Sequence, residues 1–201
     1  MRGVEQIPFL YDPLCWLLEA TGLRRWRAWL VSGARGRALD LGCGTGRNLP
    51  LYAAGTRVVG VDPALSPLLR ARRRAPLALL VRASAEALPF KPGVFDTVVS
   101  GLVFCSVDDP RRGLSEVQRV LAPGGRLRML EHVRSTSRFG GWLQDRLQPA
   151  WTWVAGGCRN NRDTVGTVRA AGFVIDNNSY RANGTMRRFE AAPPARAGEP
   201  A

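Results

Sequence analysis

Short apolar runs alternate with helix-length segments along the middle of this chain, and this alternation constrains its fold more than any other feature. A run that is apolar at nearly every position is typical of a parallel strand buried on both faces, because the connecting helices cover the sheet. The sequence therefore predicts an α/β fold with a doubly wound, mostly parallel sheet and helices on both faces. The predicted strands are residues 38–41, 57–62, 78–81, 94–99 and 126–130, and the predicted helices between them are residues 47–54, 64–74 and 110–121.

The segments on either side of this region carry weaker patterns. Residues 8–32 have apolar side chains at helical spacing with one interruption, which predicts two short amphipathic helices. Residues 133–158 are aromatic and irregular, and residues 162–171 return to a helical pattern. The final patterned segments, residues 173–180 and 185–192, predict two strands, and we expect the C-terminal one to be antiparallel to the rest.

The chain is strongly basic, with 29 lysine and arginine residues against 16 acidic residues and a formal net charge of +13. Such a charge makes polyanions or an anionic membrane surface conceivable partners, but it does not define a fold. The arginines are scattered rather than gathered in one tract, which is typical of a solvated surface. No apolar run reaches the length of about 18 residues that a membrane-spanning helix needs, so we expect at most a peripheral contact with a membrane.

The four cysteines are isolated along the sequence. Cys15, Cys43, Cys105 and Cys158 form neither a CxxC pair nor a dense framework, which predicts no metal site and no disulfide scaffold. The N-terminus has no charged segment followed by an apolar stretch and a cleavage site. Free thiols without a secretory signal indicate a cytoplasmic protein.

A glycine-rich turn follows the first predicted strand, and an acidic residue ends the second. Gly42, Gly44 and Gly46 let the backbone approach a ligand closely, and Asp62 can accept hydrogen bonds from both hydroxyls of a ribose. Both features lie where doubly wound sheets bind ligands, at the carboxyl ends of the strands. The glycines alternate, unlike those of a dinucleotide-binding fingerprint, and Asp40 adds a carboxylate that suits a ligand with an ammonium group and no phosphate.

This combination resembles the first motif of class I S-adenosylmethionine-dependent methyltransferases. Residues 81–90, 95–100 and 116–125 are similar to three further motifs in the family's order, so the resemblance covers roughly residues 37–132. It implies a Rossmann-like fold and S-adenosylmethionine as the cofactor. It also implies that the cofactor is bound by Asp40, Gly42, Cys43, Gly44, Gly46, Asp62, Pro63, Ser84, Ala85, Glu86 and Ser100. Ser84 stands where the family often has an aspartate, and its hydroxyl can accept the same hydrogen bond from the adenine amine.

Further segments are similar to one branch of the family, the small methyltransferase-like proteins that include alkyl thiol S-methyltransferases. They are residues 102–107, 130–133, 148–151 and 156–158. The resemblance implies a small lipophilic thiol as the methyl acceptor, with a quinone, a phenol or a phospholipid amine as alternatives. His132, the one histidine of the chain, follows the fifth predicted strand and is a candidate general base for the acceptor's proton, although such a histidine is more often a hydrogen-bonded structural residue.

These assignments divide the chain into functional segments. We interpret residues 1–192 as one methyltransferase domain, with a helical lid at 1–32, a cofactor-binding core at 33–132 and the substrate side at 133–192. Residues 193–201 are rich in proline, alanine and glycine and are expected to be a disordered tail. Aromatic residues of the flanks either anchor helices to the sheet or wall an apolar substrate pocket. They include Tyr11, Trp16, Trp26, Trp29, Trp142, Trp151 and Trp153.

Two alternatives to a small-molecule methyltransferase follow from the charge and the motifs. The first is a nucleic-acid methyltransferase, which the positive charge favours. Enzymes that methylate exocyclic base amines place an Asn/Asp-Pro-Pro-aromatic turn after the fourth strand, whereas this chain has Ser100-Gly101-Leu102-Val103 there and lacks the Pro-Cys pair of pyrimidine carbon methylation. The second is a cofactor-binding module that acts through protein partners without catalysis. The intact glycine turn and Asp62 argue against that alternative.

Overall fold

The structure, a computed structural model, describes residues 22–154 and 157–194 of the chain. The strands of this part are β1 (Arg37–Leu41), β2 (Arg57–Asp62), β3 (Leu79–Arg82), β4 (Phe95–Gly101), β5 (Leu121–His132), β6 (Val174–Ile175), β7 (Arg181–Asn183) and β8 (Met186–Ala192). Its α-helices are α1 (Arg24–Ser32), α2 (Leu65–Arg74), α3 (Pro110–Val120), α4 (Arg138–Val154) and α5 (Thr164–Ala170). The strands form one sheet in the order β3-β2-β1-β4-β5-β8-β6, and β7 pairs with β8.

The first five strands are parallel, and the C-terminal strand runs in the opposite direction. β1 lies between β2 and β4, where Leu39 pairs with Val59 on one side and with Val98 on the other. β5 is parallel to β4 and antiparallel to β8, with His132 opposite Met186. The predicted doubly wound, mostly parallel sheet with an antiparallel C-terminal strand is confirmed. Because the strand order reverses next to β1, the turn after β1 lies where such sheets bind ligands.

Neighbouring residues along the central strands face opposite sides of the sheet, so the sheet supports two apolar cores. Leu39 and Val98 face the larger core, which residues of α3 and α5 share. Ala38 and Val99 face a smaller core on the other side, where α1 contributes the fully buried Leu30. The helices therefore lie on both faces of the sheet, as predicted.

The segment after β1 differs from its prediction. The predicted helix over residues 47–54 is reduced to one 3-10 turn, Leu49–Leu51. The N–H of Leu49 bonds to the carbonyl of Gly46, and Tyr52 is already extended, with a ψ of 143°. The prediction of a regular helix was wrong because the tight turns of the glycine segment continue into these residues.

The C-terminal third differs in two places. Residues 133–158, which read as irregular in sequence, contain α4, and Pro149 lies inside this helix where sequence rules predict a break. The predicted strand over residues 173–180 pairs only at its start, the short β6. The chain turns there because the carbonyl of Asp176 accepts a hydrogen bond from the hydroxyl of Ser179 at 2.8 Å.

Parts of two predictions lie outside the described residues. The first of the two N-terminal helices falls largely on residues 1–21, and α1 is the second helix of that pair. The predicted tail lies mostly on residues 195–201. Among the helices of the described ranges, none is long and apolar enough to cross a membrane.

Candidate active site

A cavity of about 360 Å³ opens at the carboxyl ends of β1, β2 and β4. The glycine turn, the residues after β2 and the segment after β4 form much of its wall, and Arg27 of α1 and Asn48 add to it. Of the residues predicted to bind the cofactor, the structure brings together on this wall Gly42, Cys43, Gly44, Asp62, Pro63, Ser84, Ala85 and Glu86. The cavity therefore lies next to β1, where the strand order reverses and where doubly wound sheets bind their ligands.

The three glycines of the turn have different surroundings. Gly42 has a φ of 61°, and a Cβ there would stand 2.5 Å from the side chain of Val103. Gly44 has a φ of 53° and no other atom within 4 Å of a Cβ position, so its backbone faces open space. A Cβ at Gly46 would stand 2.9 Å from the backbone of Ala71 in α2. Gly44 is therefore exposed to a ligand, whereas Gly42 and Gly46 allow close packing of the turn.

Asp62 joins the end of β2 to the glycine turn. Its Oδ2 accepts a hydrogen bond from the N–H of Gly44 at 3.0 Å, and its Oδ1 accepts one from the N–H of Ala64 at 2.9 Å. Burial raises the pKa of this carboxyl, and the two backbone hydrogen bonds oppose that shift. Cys43 also lines the cavity, and burial raises the pKa of its thiol, which therefore stays neutral.

Asp40 lies beneath the cavity wall rather than on it. The residue is fully buried, and its Oδ1 accepts a hydrogen bond from the side chain of Asn48 at 3.2 Å. The amide oxygen of Asn48 in turn accepts a hydrogen bond from Nη1 of Arg27 at 3.0 Å. Burial raises the pKa of Asp40 to about 7, although the Asn48 bond and the Arg27 charge act in the opposite direction. A side-chain hydrogen bond with Tyr52 also lowers the pKa of Asp40.

The segment after β3 is held to the start of α3. The hydroxyl of Ser84 donates a hydrogen bond to Oε2 of Glu86 at 3.0 Å. Oε1 of Glu86 accepts one from the N–H of Asp109, the residue whose side chain caps α3. Ser84, Ala85 and Glu86 thus form one fixed side of the cavity, on which the resemblance places the adenine ring.

A buried carboxylate supports the segment after β4 from behind. Glu131 accepts hydrogen bonds at 3.0 to 3.3 Å from the hydroxyl of Ser100 and from the N–H groups of residues 103–105. Burial raises the pKa of Glu131 to about 7. These bonds fix a turn in which Leu102 has a φ of 63°, a strained value for a residue other than glycine. Ser100, predicted to bind the cofactor, is fully buried and belongs to this support.

His132, the predicted base, lies beside two cysteines and not among the residues of the cavity wall. The donor atoms of Cys105, His132 and Cys158 all lie within 4.8 Å of one another. Hydrogen bonds from Cys105 and His132 lower the pKa of the Cys158 thiol. The structure thus contradicts the expectation that these thiols are isolated, which rested on their spacing in sequence. The role of His132 as a base stays a prediction.

The tryptophans of the described residues lie away from the cavity wall. Trp26 and Trp29 of α1 pack against the smaller core, and the guanidinium groups of Arg128 and Arg188 stand 4.3 and 4.7 Å from the ring centre of Trp29. On α4, the exposed fractions are 54% for Trp142, 39% for Trp151 and 69% for Trp153. The two tryptophans of α1 anchor their helix to the sheet. Tyr11 and Trp16 lie outside the described residues.

Sequence reasoning missed several polar residues of this region, among them Arg27, Asn48 and Glu131. Arg27 and Asn48 line the cavity, and Glu131 supports its wall. No local pattern marks them, because their hydrogen-bond partners lie between 8 and 31 residues away in the sequence. A charged residue within an apolar strand, as Glu131 is in β5, was the one available signal, since such a residue is buried only when it is hydrogen-bonded.

The fold and this site together define a class of protein. A doubly wound sheet with an alternating glycine turn after β1 and an acid at the end of β2 is the arrangement of class I S-adenosylmethionine-dependent methyltransferases. Residues 39–129 match the family described as a methyltransferase domain. Residues 39–129 therefore form a methyltransferase domain, the class of domain that uses S-adenosylmethionine as its methyl donor.

Individual proteins similar to this chain include enzymes with different acceptors. The thiol S-methyltransferase TMT1B of Homo sapiens is 37% identical over 155 residues, which cover 71% of this chain and 63% of that protein. The demethylmenaquinone methyltransferase of Thermus thermophilus is 43% identical over 133 residues, or 60% of each chain. A crystal structure of a possible histamine N-methyltransferase from Thermotoga maritima shares the fold, with a TM-score of 0.70 and 23% identity over 94% of this chain and 96% of that chain. The chain thus spans less than two thirds of the human relative.

The residues of the cavity fit S-adenosylmethionine. The open space at Gly44 admits a ligand against the backbone, and the carboxylate of Asp62 on the wall can accept ribose hydroxyls. Asp40 is fully buried beneath the wall, so it can act on a bound ammonium group only through Asn48, which lines the cavity and donates a hydrogen bond to it. Each of these observations concerns a residue that the sequence also predicted.

Proposed function

We propose that the protein transfers the methyl group of S-adenosylmethionine to a small, lipophilic thiol. The observation that carries this proposal is the position of the segment after β4. Residues 102–107 are similar to the alkyl thiol S-methyltransferase branch, and four of them supply one side of the cofactor cavity, which are Leu102, Val103, Ser106 and Val107. The similarity to human TMT1B supports the same acceptor class and extends over 155 residues.

The chemistry of this side of the cavity favours a lipophilic acceptor. Leu102, Val103 and Val107 contribute to the wall after β4, and Pro67 of α2 contributes to it from another direction. A charged acceptor loses its hydration against such side chains, at a cost in free energy. A lipophilic thiol instead gains about 25 cal/mol for each Å² of apolar surface that it buries.

The chain's own residues bind and orient the reactants. When bound, S-adenosylmethionine supplies a methyl group on a positively charged sulfur that is already electrophilic. Gly44 admits the cofactor to the backbone, Asp62 accepts its ribose hydroxyls, and residues 83–86 contact its adenine. Glu131 holds residues 103–105 in position behind the acceptor. Alignment of the acceptor and exclusion of water then provide most of the rate acceleration.

We also propose that the N-terminal segment acts as a lid on the cavity. Arg27 of α1 donates a hydrogen bond to Asn48 on the wall at 3.0 Å, and Leu30 is fully buried in the smaller core. Deleting residues 1–21 keeps α1 and should therefore preserve cofactor binding while lowering turnover. A truncated protein that turns over normally would contradict the lid.

A methyl-transfer assay with matched acceptors tests the thiol proposal. The protein is incubated with S-adenosylmethionine labelled in its methyl group and with a lipophilic thiol, the alcohol of the same carbon skeleton, a reduced quinone, a phenol or phosphatidylethanolamine. We expect label on the thiol and none on the alcohol, because sulfur is the better nucleophile. Transfer only to the quinone, the phenol or the lipid amine would overturn the thiol assignment but keep the methyltransferase activity. Cofactor binding without transfer to any acceptor would favour the non-catalytic alternative.

A further inference from the structure

Two cysteines and the one histidine of the chain meet beside the cavity. Cys105 follows β4, His132 ends β5, and Cys158 follows α4. Their donor atoms, two Sγ atoms and one imidazole nitrogen, all lie within 4.8 Å of one another. Both cysteines are buried, and His132 is half-buried. We name these three residues the Cys–His cluster.

The Cys–His cluster has the donor set of a zinc site. Tetrahedral zinc binds thiolate sulfur at about 2.3 Å and imidazole nitrogen at about 2.0–2.1 Å, which places two donor atoms on one ion about 3.5–3.8 Å apart. The donor atoms of the cluster lie within 4.8 Å of one another, and rotation of the side chains can bring them to the spacing that zinc requires. Two sulfur donors favour zinc over harder cations, which prefer oxygen. We propose that Cys105, His132 and Cys158 bind one zinc ion.

Hydrogen bonds of the backbone hold the two cysteines in place. The N–H of Cys105 donates to Oε2 of Glu131 at 3.3 Å, and its carbonyl accepts a hydrogen bond from the N–H of Arg159 at 2.7 Å. Arg159 directly follows Cys158, whose own carbonyl accepts a hydrogen bond from the side chain of Gln148 in α4 at 2.9 Å. These bonds fix the backbones of the two cysteines relative to each other and leave only side-chain rotation to adjust the thiols. A site that is organised before the ion arrives binds it with little loss of conformational entropy.

A zinc ion in the Cys–His cluster joins three segments that are distant in sequence. Ser106 follows Cys105, its Oγ lies 3.7 Å from Sγ of Cys105, and it contributes to the cavity wall. The ion therefore ties this wall to the end of β5 and to the segment after α4. Three protein ligands leave the fourth tetrahedral position for water or another small donor. None of these contacts depends on which molecule accepts the methyl group.

Cobalt substitution tests the site through its spectrum. The full chain is purified without a polyhistidine tag, reduced, freed of metal with a chelator and titrated with Co²⁺. We expect one Co²⁺ per chain, with the intense visible bands of tetrahedral cobalt and a sulfur-to-cobalt charge-transfer band in the near ultraviolet, and displacement by one equivalent of Zn²⁺. Absence of these bands in the reduced protein would overturn the proposal.

Substitutions identify the ligands. Cys105→Ser and Cys158→Ser should each lose charge-transfer intensity, and His132→Ala should shift the visible bands. Cys43→Ser is the matched control, because Cys43 is also a buried free cysteine but lines the cavity on the glycine turn, and its spectrum should equal that of the unaltered protein. Unchanged cobalt spectra in both Cys105→Ser and Cys158→Ser would overturn the assignment.

A measurement on the unaltered protein covers the case in which these variants do not fold. The zinc-loaded chain is titrated with an organomercurial reagent, and the released zinc is followed with a colorimetric chelator. We expect one zinc ion to be released per chain as thiols are modified, with S-adenosylmethionine binding measured separately on the same sample. Modification of all thiols without zinc release would contradict the site, whereas a failure of methyl transfer alone would concern only the proposed function.

Discussion

The carboxylate of Asp62 accepts a hydrogen bond from the backbone N–H of Gly44 at 3.0 Å. One acidic residue therefore ends β2 and also fixes the glycine turn that follows β1. Its other oxygen accepts a hydrogen bond from Ala64, just before α2. A carboxylate oxygen has two lone pairs, so each oxygen keeps one for a ribose hydroxyl. The structural and the ligand-binding roles thus fall on the same side chain.

Replacing Asp62 with alanine should weaken S-adenosylmethionine binding by at least about tenfold. The change removes hydrogen bonds to a charged group, each of which contributes on the order of 1.5–3 kcal/mol. Isothermal titration calorimetry measures the affinity. Asp176→Ala is a matched control, because Asp176 also accepts a backbone N–H within a turn but lies off the cavity wall. Equal affinities of Asp62→Ala and the unaltered protein would remove Asp62 from the site.

Alanine should act differently at Gly42 and Gly44. Both residues have positive φ angles, 61° and 53°, so each substitution costs about 1–2 kcal/mol of backbone strain. At Gly42 the new methyl group also stands 2.5 Å from Val103, so Gly42→Ala should lower the free energy of unfolding further. At Gly44 the methyl group enters open space in the cavity and should chiefly weaken cofactor binding.

Thermal unfolding with and without S-adenosylmethionine separates these two effects. Gly42→Ala should show the lower Tm without ligand, and Gly44→Ala should lose most of the rise in Tm that the ligand produces. Gly184→Ala, at a positive φ of 53° in a turn away from the cavity, controls for backbone strain alone. A ligand-induced rise in Gly44→Ala equal to that of Gly184→Ala would contradict the role assigned to Gly44.

Asp40 should make stability depend on pH. Burial raises its pKa in the folded chain from 3.8 to about 7, so the folded state holds the proton more tightly than the unfolded state. The contribution of Asp40 to the free energy of unfolding is fully present below its pKa in the unfolded chain and is lost as the pH rises toward 7. This loss amounts to on the order of 4 kcal/mol at most.

Urea unfolding at a series of pH values checks this prediction with Asp40→Asn. The amide resembles the protonated carboxyl and does not titrate, so the variant should lose less stability than the unaltered protein between about pH 4 and pH 7. Burial also raises the pKa of Glu131 to about 7, and this shift contributes equally to the pH dependence of both proteins. Identical pH profiles would show that Asp40 titrates in its ordinary range.

Glu131 should act on the acceptor by positioning the wall after β4. In Glu131→Gln the side-chain NH2 faces backbone donors at residues 103–105, which should cost about 1–3 kcal/mol of stability. We expect the KM for the acceptor to rise while the Kd for S-adenosylmethionine changes little. Glu190→Gln is the control, since Glu190 pairs with Arg128 on the sheet away from the cavity wall. A similar rise in KM in Glu190→Gln would reduce Glu131 to a structural residue.

The sequence by itself determined the sheet and the place of its ligand site. The apolar alternation defined β1 to β5, and the glycine turn with Asp62 marked the carboxyl ends of β1 and β2. These features are readable because they depend on neighbouring residues: strand burial follows a short periodic pattern, and a positive φ at Gly44 favours glycine whatever surrounds it.

Only the tertiary structure decided which polar groups meet. Ser100 donates to Glu131 across 31 residues of sequence, Asp40 is covered by Asn48, and the Cys–His cluster gathers residues from β5 and from the segments after β4 and α4. Such contacts leave no period or spacing in the chain. They arise because parallel strands place their carboxyl ends at one edge of the sheet, where side chains from distant segments are buried together and must satisfy one another's hydrogen bonds.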